Sequence, residues 1–537
     1  MSSEDYRGTV PGALLAAAEK WADHDAIIDG ATRLTYRQLY DRVAQCAGYF
    51  IAAGVRQGDR IAVWSPNSHH WVIAALGALT AGATLVPINT RFTGGEALDI
   101  LDRTRAAALI VAGPFLGTDR LALLHETAGD LEKTLPSLTT IVRVPIEGPL
   151  DPVAGAVTWD EMTAARASSE EIEARGSSVT PDDVCDILFT SGTTGRSKGA
   201  MSSHTQSLGV AAAWASIGGV TQQDRYLIVN PFFHSFGYKA GILVCLLTGA
   251  TICPQPAFDV EQALALVERQ RITVLPGAPT IYQMMIEHPK RAAHDLTSLR
   301  LAVTGAATVP VTLVERMRSE LGFTVVLTAY GLTEAVVATM CRPEDSADTI
   351  ANTCGRAAAG FEVRVARPDG TDCSPGEQGE VLLRGPNVML GYLDDTEATR
   401  AAVDDDGWLH TGDAGTLTTA GYLKITDRIK DMYVSGGFNV YPAEVEQCLA
   451  RLKGVAESAV IGVPDKRLGE VGRAYIRVED GHSLAADDVI THAKQHLANY
   501  KVPRQVEFID ALPRNPAGKV LKRDLRTQAL QALQEVS

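Results

Sequence analysis

The stretch TSGTTGRSKG, from Thr190 to Gly199, decides how this sequence is interpreted. It follows Asp186 to Phe189, which has the composition of the end of a buried strand. Glycines let backbone N–H groups approach oxygen atoms closely, hydroxyl groups donate further hydrogen bonds, and a lysine supplies positive charge. The stretch therefore predicts a polyphosphate-binding loop, which consists of Thr190, Ser191, Gly192, Thr193, Thr194, Gly195, Arg196, Ser197 and Lys198.

The spacing within this loop differs from that of the Walker P-loop. Only two residues separate Gly195 from Lys198, and glycine rather than a hydroxyl residue follows the lysine. A Walker-type NTPase is therefore disfavoured. A plain flexible loop of serine, threonine and glycine remains the structural alternative for this segment when it is considered alone.

Composition and charge limit the class of protein. A chain of 537 residues exceeds what one hydrophobic core supports, so a large domain and at least one smaller unit are expected. The net charge of −15 argues against a nucleic-acid partner and against an anionic membrane surface. The first eight residues lead into no apolar core, so we expect no secretory signal, no integral membrane association and a cytoplasmic location. Eight cysteines without a C-x-x-C pair predict reduced, mostly buried thiols.

The pattern of predicted secondary structure changes twice along the chain. Up to about residue 359, helical patterns such as 261–270 alternate with short β-rich runs such as 60–63 and 273–276, which favours α/β layers with parallel strands. Residues 360–421 read as a small, mostly antiparallel β unit. A charged run then precedes a separate pattern of helix, strand, strand and helix.

Four further motifs follow the loop in order: YGLTE at 330–334, WLHTGD at 408–413, DRIKD at 427–431 and NPAGK at 515–519. With these, nearly the whole chain resembles the adenylate-forming superfamily of acyl-CoA synthetases, peptide-synthetase adenylation domains and luciferases. The resemblance implies an acyl-CoA synthetase that uses ATP, Mg2+ and coenzyme A to ligate a small carboxylic acid through an acyl-adenylate, releasing AMP and pyrophosphate.

The resemblance also implies an architecture. An α/β N-terminal adenylation domain, with two α/β subdomains and a small β-barrel-like unit, would span residues 1–426. A hinge at 427–431 would connect it to a small mobile α+β domain at 432–537, which carries a catalytic lysine. Lys430 matches the hinge position, and Gly436 and Gly437 match the loop that lines the tunnel for coenzyme A.

The residues that match the family's functional positions can be named one by one. Glu334 matches the carboxylate that holds magnesium, and Thr333 beside it faces the phosphates. Asp413 and Arg428 match contacts to the ribose. Lys519 matches the lysine that contacts the carboxylate and the α-phosphate, where charge accumulates. The resemblance assigns catalysis to Lys519, Glu334, Thr333 and Lys198.

Small residues follow two predicted strands. Gly305, Ala306 and Ala307 match a segment that packs against adenine and the acyl group, although without the resemblance they would be an ordinary strand-to-helix turn. Tyr330 and Gly331 match further nucleotide contacts.

His234 and Lys239 lie in the segment NPFFHSFGYKAGILVCLLTGA at 230–250. His234 matches a gate between the acyl pocket and the thiol tunnel. Without the resemblance, residue type alone predicts a buried histidine whose ring nitrogens are hydrogen-bonded. Lys239 could donate a hydrogen bond to a substrate ketone, but a surface salt bridge is the favoured prediction. Together with 330–343, this segment resembles actinobacterial ligases that activate the indanedione propanoate left after breakdown of the steroid A and B rings.

Alternative functions remain open from the sequence. Medium-chain or aromatic acids are alternative substrates, and a carrier protein is an alternative acceptor in place of coenzyme A. A nucleotide-sensing module without catalysis is the alternative outside enzymology, disfavoured because each matched position holds the expected residue type. The sequence also leaves a homodimer open.

Overall fold

The computed structural model describes residues 8–164, 167–190, 197–305, 309–428, 431–435, 438–465, 468–497, 499–514 and 520–535. The chain forms two compact units. Unit 1 comprises Met1–Glu362 and Leu383–Leu409, and unit 2 comprises Val363–Leu382 and His410–Ser537. This division by compactness groups the small β unit with the C-terminal part of the chain, and the hinge at 427–431 stays a prediction.

Short strands make up the sheets of unit 1. They are β1 (Asp25–Asp29), β2 (Thr32–Thr35), β3 (Arg60–Trp64), β4 (Thr84–Pro87), β5 (Ala108–Ala112), β6 (Thr140–Val144), β7 (Val157–Thr158), β8 (Val184–Thr190), β9 (Lys198–Ser203), β10 (Arg225–Ile228), β11 (Thr251–Pro254), β12 (Leu301–Gly305), β13 (Val325–Tyr330), β14 (Thr339–Met340) and β15 (Arg356–Ala357).

The strands that follow lie wholly or mostly in unit 2, apart from β18, which lies in unit 1. They are β16 (Glu362–Ala366), β17 (Gln378–Arg384), β18 (Gly391–Tyr392), β19 (Leu409–Leu417), β20 (Leu423–Arg428), β21 (Tyr433–Ser435), β22 (Phe438–Val440), β23 (Val455–Asp465), β24 (Gly469–Val478) and β25 (Gln505–Phe508).

Helices alternate with these strands. They are α1 (Val10–Lys20), α2 (Tyr36–Ala52), α3 (His69–Thr80), α4 (Gly94–Thr104), α5 (Arg120–Ala128), α6 (Leu131–Thr134), α7 (Trp159–Thr163), α8 (Ser169–Ser178), α9 (His204–Gly218), α10 (Ser235–Gly237), α11 (Val244–Thr248), α12 (Val260–Gln270), α13 (Pro279–Glu287), α14 (Val311–Glu320), α15 (Ala347–Asn352), α16 (Thr396–Ala402), α17 (Pro442–Leu449), α18 (Ala486–His496) and α19 (Lys522–Glu535), with a π-helix at Tyr238–Leu243 and 3-10 turns at Arg291–Ala293 and Asn499–Lys501.

An eight-stranded sheet dominates unit 1, with the order β18-β9-β8-β4-β3-β5-β6-β7. The strands from β8 to β7 pair in parallel, whereas β9 and β18 add to the edge in antiparallel fashion. The whole of β5 is buried, as continuous apolar strands are in a parallel sheet covered by helices. The predicted α/β layers with parallel strands are confirmed.

The uncharged stretch 71–88 forms most of α3 and then β4, both of which are buried. Among the helices that the structure describes, none is long and apolar enough to cross a membrane. All eight cysteines are unpaired, and six of them are buried, as predicted.

Two further sheets complete unit 1, with the orders β10-β11-β1-β2 and β12-β13-β14-β15. Val274 forms isolated parallel bridges to Tyr226 and Leu301 and so links β10 to β12. The predicted strand at 273–276 is therefore wrong beyond this single residue. Pro276 has no backbone N–H to donate, so a regular ladder cannot continue through it.

The described residues of unit 2 form two sheets. The first has the order β16-β17-β19-β20 and corresponds to the predicted small β unit. The second has the order β22-β21-β24-β23, with β25 paired in parallel to β24. The predicted order of helix, strand, strand and helix is found in α17, β23, β24 and α18. The apolar core around the second sheet includes Tyr433, Val460, Ile476 and Val489.

Candidate active site

The two ends of the predicted phosphate loop lie side by side. Thr190 is the last residue of β8, Lys198 is the first residue of β9, and the two are paired in antiparallel register. The Thr190 hydroxyl donates to the Lys198 carbonyl oxygen at 3.4 Å. Residues 191–196 lie outside the described residues, so their contacts to phosphate stay a prediction.

Arg103, near the end of α4, anchors the C-terminal end of this loop. Its Nη1 donates to the Ser197 carbonyl oxygen at 2.7 Å, and its guanidinium lies 5.1 Å from the centroid of the Phe189 ring. Arg103 therefore contacts Phe189, which precedes the loop, and Ser197, near the end of the loop. This role was not predicted, because Arg103 lies in a helix far upstream of the motif.

Glu334 lies in the turn that follows β13, and Tyr392 holds it from β18. The Tyr392 hydroxyl donates to Glu334 Oε1 at 2.7 Å, and the Met389 backbone N–H donates to the Glu334 carbonyl oxygen, also at 2.7 Å. Lys198 Nζ lies 4.9 Å from the centroid of the Tyr392 ring. Tyr392 therefore connects two of the residues that the sequence assigned to catalysis. Sequence reasoning missed it, because its partners are distant in the chain.

Burial, and then the negative charge of Glu334, raises the pKa of Tyr392 well above its ordinary value. The Tyr392 hydroxyl therefore keeps its proton and acts as the donor towards the carboxylate at neutral pH.

The turn around Glu334 is tight. A Cβ atom placed on Gly331 would lie only 1.6 Å from the Val336 carbonyl oxygen. Val336 itself has a φ of +60°, which is costly for a β-branched residue. The Ala338 N–H donates to the Tyr330 carbonyl oxygen at 2.9 Å and closes the turn. Thr333 lies within it and is partly buried. The backbone of this turn thus fixes the position from which the Glu334 side chain extends.

Gly305 and Tyr330 lie at the ends of adjacent strands. β12 and β13 run in parallel, with Gly305 opposite Ala329, and a Cβ on Gly305 would lie 2.6 Å from the Ala329 carbonyl oxygen. The carboxyl ends of parallel strands are the usual place for a ligand crevice in an α/β sheet. Ala306 and Ala307 lie outside the described residues.

His234 is exposed and caps the short helix α10. Its Nδ1 accepts a hydrogen bond from the Phe236 N–H at 3.2 Å. The Phe236 ring packs edge to face against Trp214, with centroids 5.5 Å apart. The buried histidine expected from residue type alone is therefore wrong, and the gate role stays a prediction.

Lys239 does not lie at the surface, so the predicted surface salt bridge is wrong. Its side chain is buried and pairs with Asp186 of β8 at 2.9 Å. The π-helix that contains Lys239 is apolar on both sides of it and packs into the core of unit 1, which takes the lysine inward with it. A hydrogen bond to a substrate ketone would require the ammonium to leave this buried partner.

In unit 2, the two predicted ribose contacts are neighbours. Asp413 of β19 stands opposite Arg428 of β20 in antiparallel register. Asp413 is buried, and its backbone N–H donates to the Thr411 hydroxyl at 3.0 Å. Lys430, Gly436, Gly437 and Lys519 lie outside the described residues, so their roles stay predictions.

The described residues contain no group of three or more His, Cys, Asp or Glu side chains that could enclose a metal ion. A single carboxylate such as that of Glu334 suits Mg2+, which keeps several waters and takes further oxygen ligands from the phosphates of a substrate. The donor set therefore fits a magnesium ion that arrives with a nucleotide.

Comparisons with known proteins show the family to which this chain belongs. The AMP-binding enzyme family matches residues 14–393, and the AMP-binding enzyme C-terminal domain matches residues 444–519. The chain belongs to the AMP-binding enzyme family. The resemblance predicted from the five motifs is thereby confirmed.

Two relatives of this AMP-binding enzyme are similar over almost their whole length. It is 58% identical to the 3-(7a-methyl-1,5-dioxo-octahydro-1H-inden-4-yl)propanoyl:CoA ligase of Rhodococcus jostii strain RHA1, over 97% of this chain and 98% of the relative. It is also 58% identical to the ligase of the same name from Mycobacterium tuberculosis strain H37Rv, over 96% of this chain and 98% of the relative.

Among solved structures, the anthranilate CoA ligase AuaEII in complex with anthranoyl-AMP is similar throughout. The TM-score is 0.87 at 27% sequence identity, and the match covers 99% of this chain and 100% of the other. The predicted fold, with a large α/β part and a smaller C-terminal part, is confirmed for this family member.

Proposed function

We propose that this AMP-binding enzyme ligates an indanedione propanoate to coenzyme A. The observation that carries the proposal is the 58% identity, over nearly the whole chain, to two ligases that are named for this reaction. The geometry of unit 1 supports it, because Lys198 and Glu334 meet at one tyrosine beside the ends of the loop. Medium-chain and aromatic acids are the alternative substrates.

In the first half-reaction, a carboxylate oxygen of the acid attacks the α-phosphorus of ATP. A new P–O bond forms, and the bond to the β-phosphate oxygen breaks, so that pyrophosphate leaves. Lys198 and the loop from Thr190 to Ser197 would hold the departing phosphates. Glu334 would hold Mg2+, which neutralises phosphate charge, and Thr333 would contact the same phosphates.

The family resemblance assigns the contacts to the nucleoside. Gly305, Ala306 and Ala307 would leave room for the flat adenine ring, with Tyr330 and Gly331 beside it. Asp413 would accept hydrogen bonds from the ribose hydroxyls, and Arg428 would make the second ribose contact. Lys519 would stabilise the negative charge that accumulates around the α-phosphorus.

In the second half-reaction, the thiol of coenzyme A releases its proton to solvent and its sulfur attacks the acyl carbon. The C–O bond to AMP breaks, and AMP carries the electron pair away. The adenylate is needed because oxide would be a poor leaving group. Lys430 would absorb the backbone rotation that withdraws Lys519, and Gly436 and Gly437 would line the path of the thiol. His234 would open that path towards the acyl group.

Location and assembly belong to the same proposal. Eight free cysteines are typical of a reducing compartment, so we infer a cytoplasmic protein. The assembly we propose is a homodimer. Light scattering on the purified full chain measures its molar mass in solution. We expect the mass of two chains, and the mass of one chain would refute the homodimer.

The substrate is tested with a panel of acids. Pyrophosphate release is measured with the indanedione propanoate, medium-chain fatty acids and benzoates at matched concentrations. We expect the highest kcat/KM for the indanedione propanoate and thioester formation on free coenzyme A. Equal rates across the panel would refute the proposed acid, and a thioester that forms only on a carrier protein would refute the acceptor.

A further inference from the structure

We propose that Tyr392 is a positioning residue that sets the orientation of both Glu334 and Lys198. The inference rests on the proposed function, because that function assigns Glu334 to the metal ion and Lys198 to the phosphates. Tyr392 would touch neither ligand itself. Its hydroxyl would orient Glu334, and its ring would orient Lys198.

The three side chains come from three separate segments of unit 1. Lys198 begins β9, Glu334 lies in the turn after β13, and Tyr392 ends β18. The tyrosine is the one that both others reach: its hydroxyl is 2.7 Å from Glu334 Oε1, and its ring centroid is 4.9 Å from Lys198 Nζ. A single side chain therefore couples an anion and a cation that arrive from different parts of the sequence.

Tyr392 is itself held rigidly. β18 pairs with β9, with Tyr392 opposite Ala200, and the Tyr392 N–H donates to the Thr399 hydroxyl at 2.9 Å. The residue is only 9% exposed and packs with Ala200 and Met389. A tyrosine fixed in this way can transmit a defined orientation to what it contacts.

The hydroxyl acts on the carboxylate of Glu334. A hydrogen bond to Oε1 fixes the rotation of the carboxylate plane and so directs its other lone pairs. Mutation of a group that orients a metal ligand in this way typically weakens metal binding about 10- to 100-fold.

The ring acts on Lys198. A lysine carries its charge on a flexible stem of four carbons, and the face of an aromatic ring attracts an ammonium group. The Tyr392 ring would therefore narrow the positions that the ammonium samples before ATP arrives, so that less conformational freedom is lost when the phosphates bind.

The Tyr392 hydroxyl is not needed to hold β18 in place. Backbone hydrogen bonds do so on both sides, from the Leu390 N–H to the Met201 carbonyl oxygen and from the Leu393 N–H to the Gly199 carbonyl oxygen, both at 2.8 Å. Removal of the hydroxyl alone should therefore leave the fold intact, which makes the inference testable by a minimal change.

The test compares Tyr392→Phe, which removes the hydroxyl only, with Tyr392→Leu, which removes the ring as well. Titration calorimetry measures ATP binding in EDTA, and electron paramagnetic resonance measures binding of Mn2+, as a probe for Mg2+, to the enzyme with ATP. We expect Tyr392→Phe to bind Mn2+ about 10- to 100-fold more weakly, with unchanged affinity for ATP in EDTA. Tyr392→Leu should in addition weaken ATP binding in EDTA by about two- to five-fold.

Tyr36→Phe is the matched control. The Tyr36 hydroxyl is also buried, and it donates to the carbonyl oxygens of Cys245 and Ala250 at 2.7 Å. This control should leave both binding constants at their original values, with any change confined to thermal stability. If Tyr392→Phe behaves like Tyr36→Phe, the positioning role is refuted.

Glu334→Gln separates this inference from the proposed function. If Glu334→Gln does not weaken Mn2+ binding, the assignment of Glu334 to the metal fails, and with it the premise of the inference. If Glu334→Gln weakens Mn2+ binding and Tyr392→Phe does not, the proposed function stands and the role of Tyr392 alone is overturned.

Discussion

Lys239 Nζ lies 2.9 Å from Asp186 Oδ1, and both side chains are excluded from solvent. The ammonium also donates to the Ser202 hydroxyl at 2.9 Å, and the Ser207 hydroxyl donates to Asp186 Oδ2 at 2.8 Å. The network joins β8, β9, α9 and the π-helix that follows His234. The strand β8, which ends at the predicted phosphate loop, is thereby linked to the segment that carries the predicted gate.

Removing one partner of this pair should destabilise the protein strongly. Lys239→Met leaves the Asp186 carboxylate buried without its counter-charge, and such a loss costs about 3–5 kcal/mol of unfolding free energy. The double variant Asp186→Leu/Lys239→Met removes both charges and should regain most of that loss. Urea unfolding at pH 7 measures all three proteins.

Lys133→Met is the control for this prediction. The pair of Lys133 with Asp130 is exposed, with 84% and 50% of the two side chains accessible, so its loss should not measurably change the urea midpoint. A double variant no more stable than Lys239→Met alone would contradict the role of the unpaired charge.

The buried pair also shows where sequence reasoning ends. Lysine is rarely buried, and its partner Asp186 lies in a different motif, so nothing local predicted the contact. Tyr392 was missed for the same reason, because its partners Lys198 and Glu334 lie far away in the chain. Contacts made by tertiary packing leave no periodic or local trace in one sequence.

Local chemistry, in contrast, was predictable. The strand predicted at 186–189, directly before the loop, lies within β8. The parallel sheet followed from the alternation of apolar strands with helices. The prediction of a strand at 273–276 was wrong because Pro276 has no backbone N–H to donate. This proline was visible in the sequence, but the β-rich residues before it were given more weight.

Gly331→Ala should disable the turn that carries Glu334. The new Cβ would lie 1.6 Å from the Val336 carbonyl oxygen, which is backbone and cannot rotate away, so the turn must open. We expect a lower melting temperature and loss of measurable ATP binding by calorimetry. Gly95→Ala in α4 is the matched control, with no atom nearer than 4.0 Å to the added Cβ, and it should stabilise the helix by about 0.5 kcal/mol. Unimpaired ATP binding by Gly331→Ala would contradict the importance of this turn.

His204 should make the protein sensitive to mild acid. Its ring is buried, its Nδ1 accepts from the Val10 N–H at 3.2 Å, and burial lowers the pKa of His204 from 6.5 to about 4. Above pH 6.5 the folded and unfolded states are both neutral at this residue. Between pH 6.5 and 4 only the unfolded state takes up the proton. The free energy of unfolding therefore decreases as the pH is lowered, by up to about 1.4 kcal/mol per pH unit.

The variant His204→Asn isolates this contribution, because its amide oxygen can still accept from the Val10 N–H. Urea unfolding at pH 7, 6 and 5 should show a pH slope that is shallower by about one proton in the variant. Equal slopes in the two proteins would assign the acid sensitivity to other groups.

Lys519→Ala should separate the two half-reactions. The family resemblance places Lys519 beyond the hinge at Lys430, where it would serve charge development at the α-phosphorus and then withdraw. Loss of such an electrostatic contact costs about 100- to 1,000-fold in rate, so pyrophosphate release from acid and ATP should nearly cease. Thioester formation from a presynthesised acyl-adenylate and coenzyme A should continue, because on this hypothesis Lys519 would have left by that stage. Lys494→Ala, an exposed lysine of α18, should retain both activities. Equal loss of both half-reactions in Lys519→Ala would instead mean that this lysine stabilises the enzyme throughout the cycle.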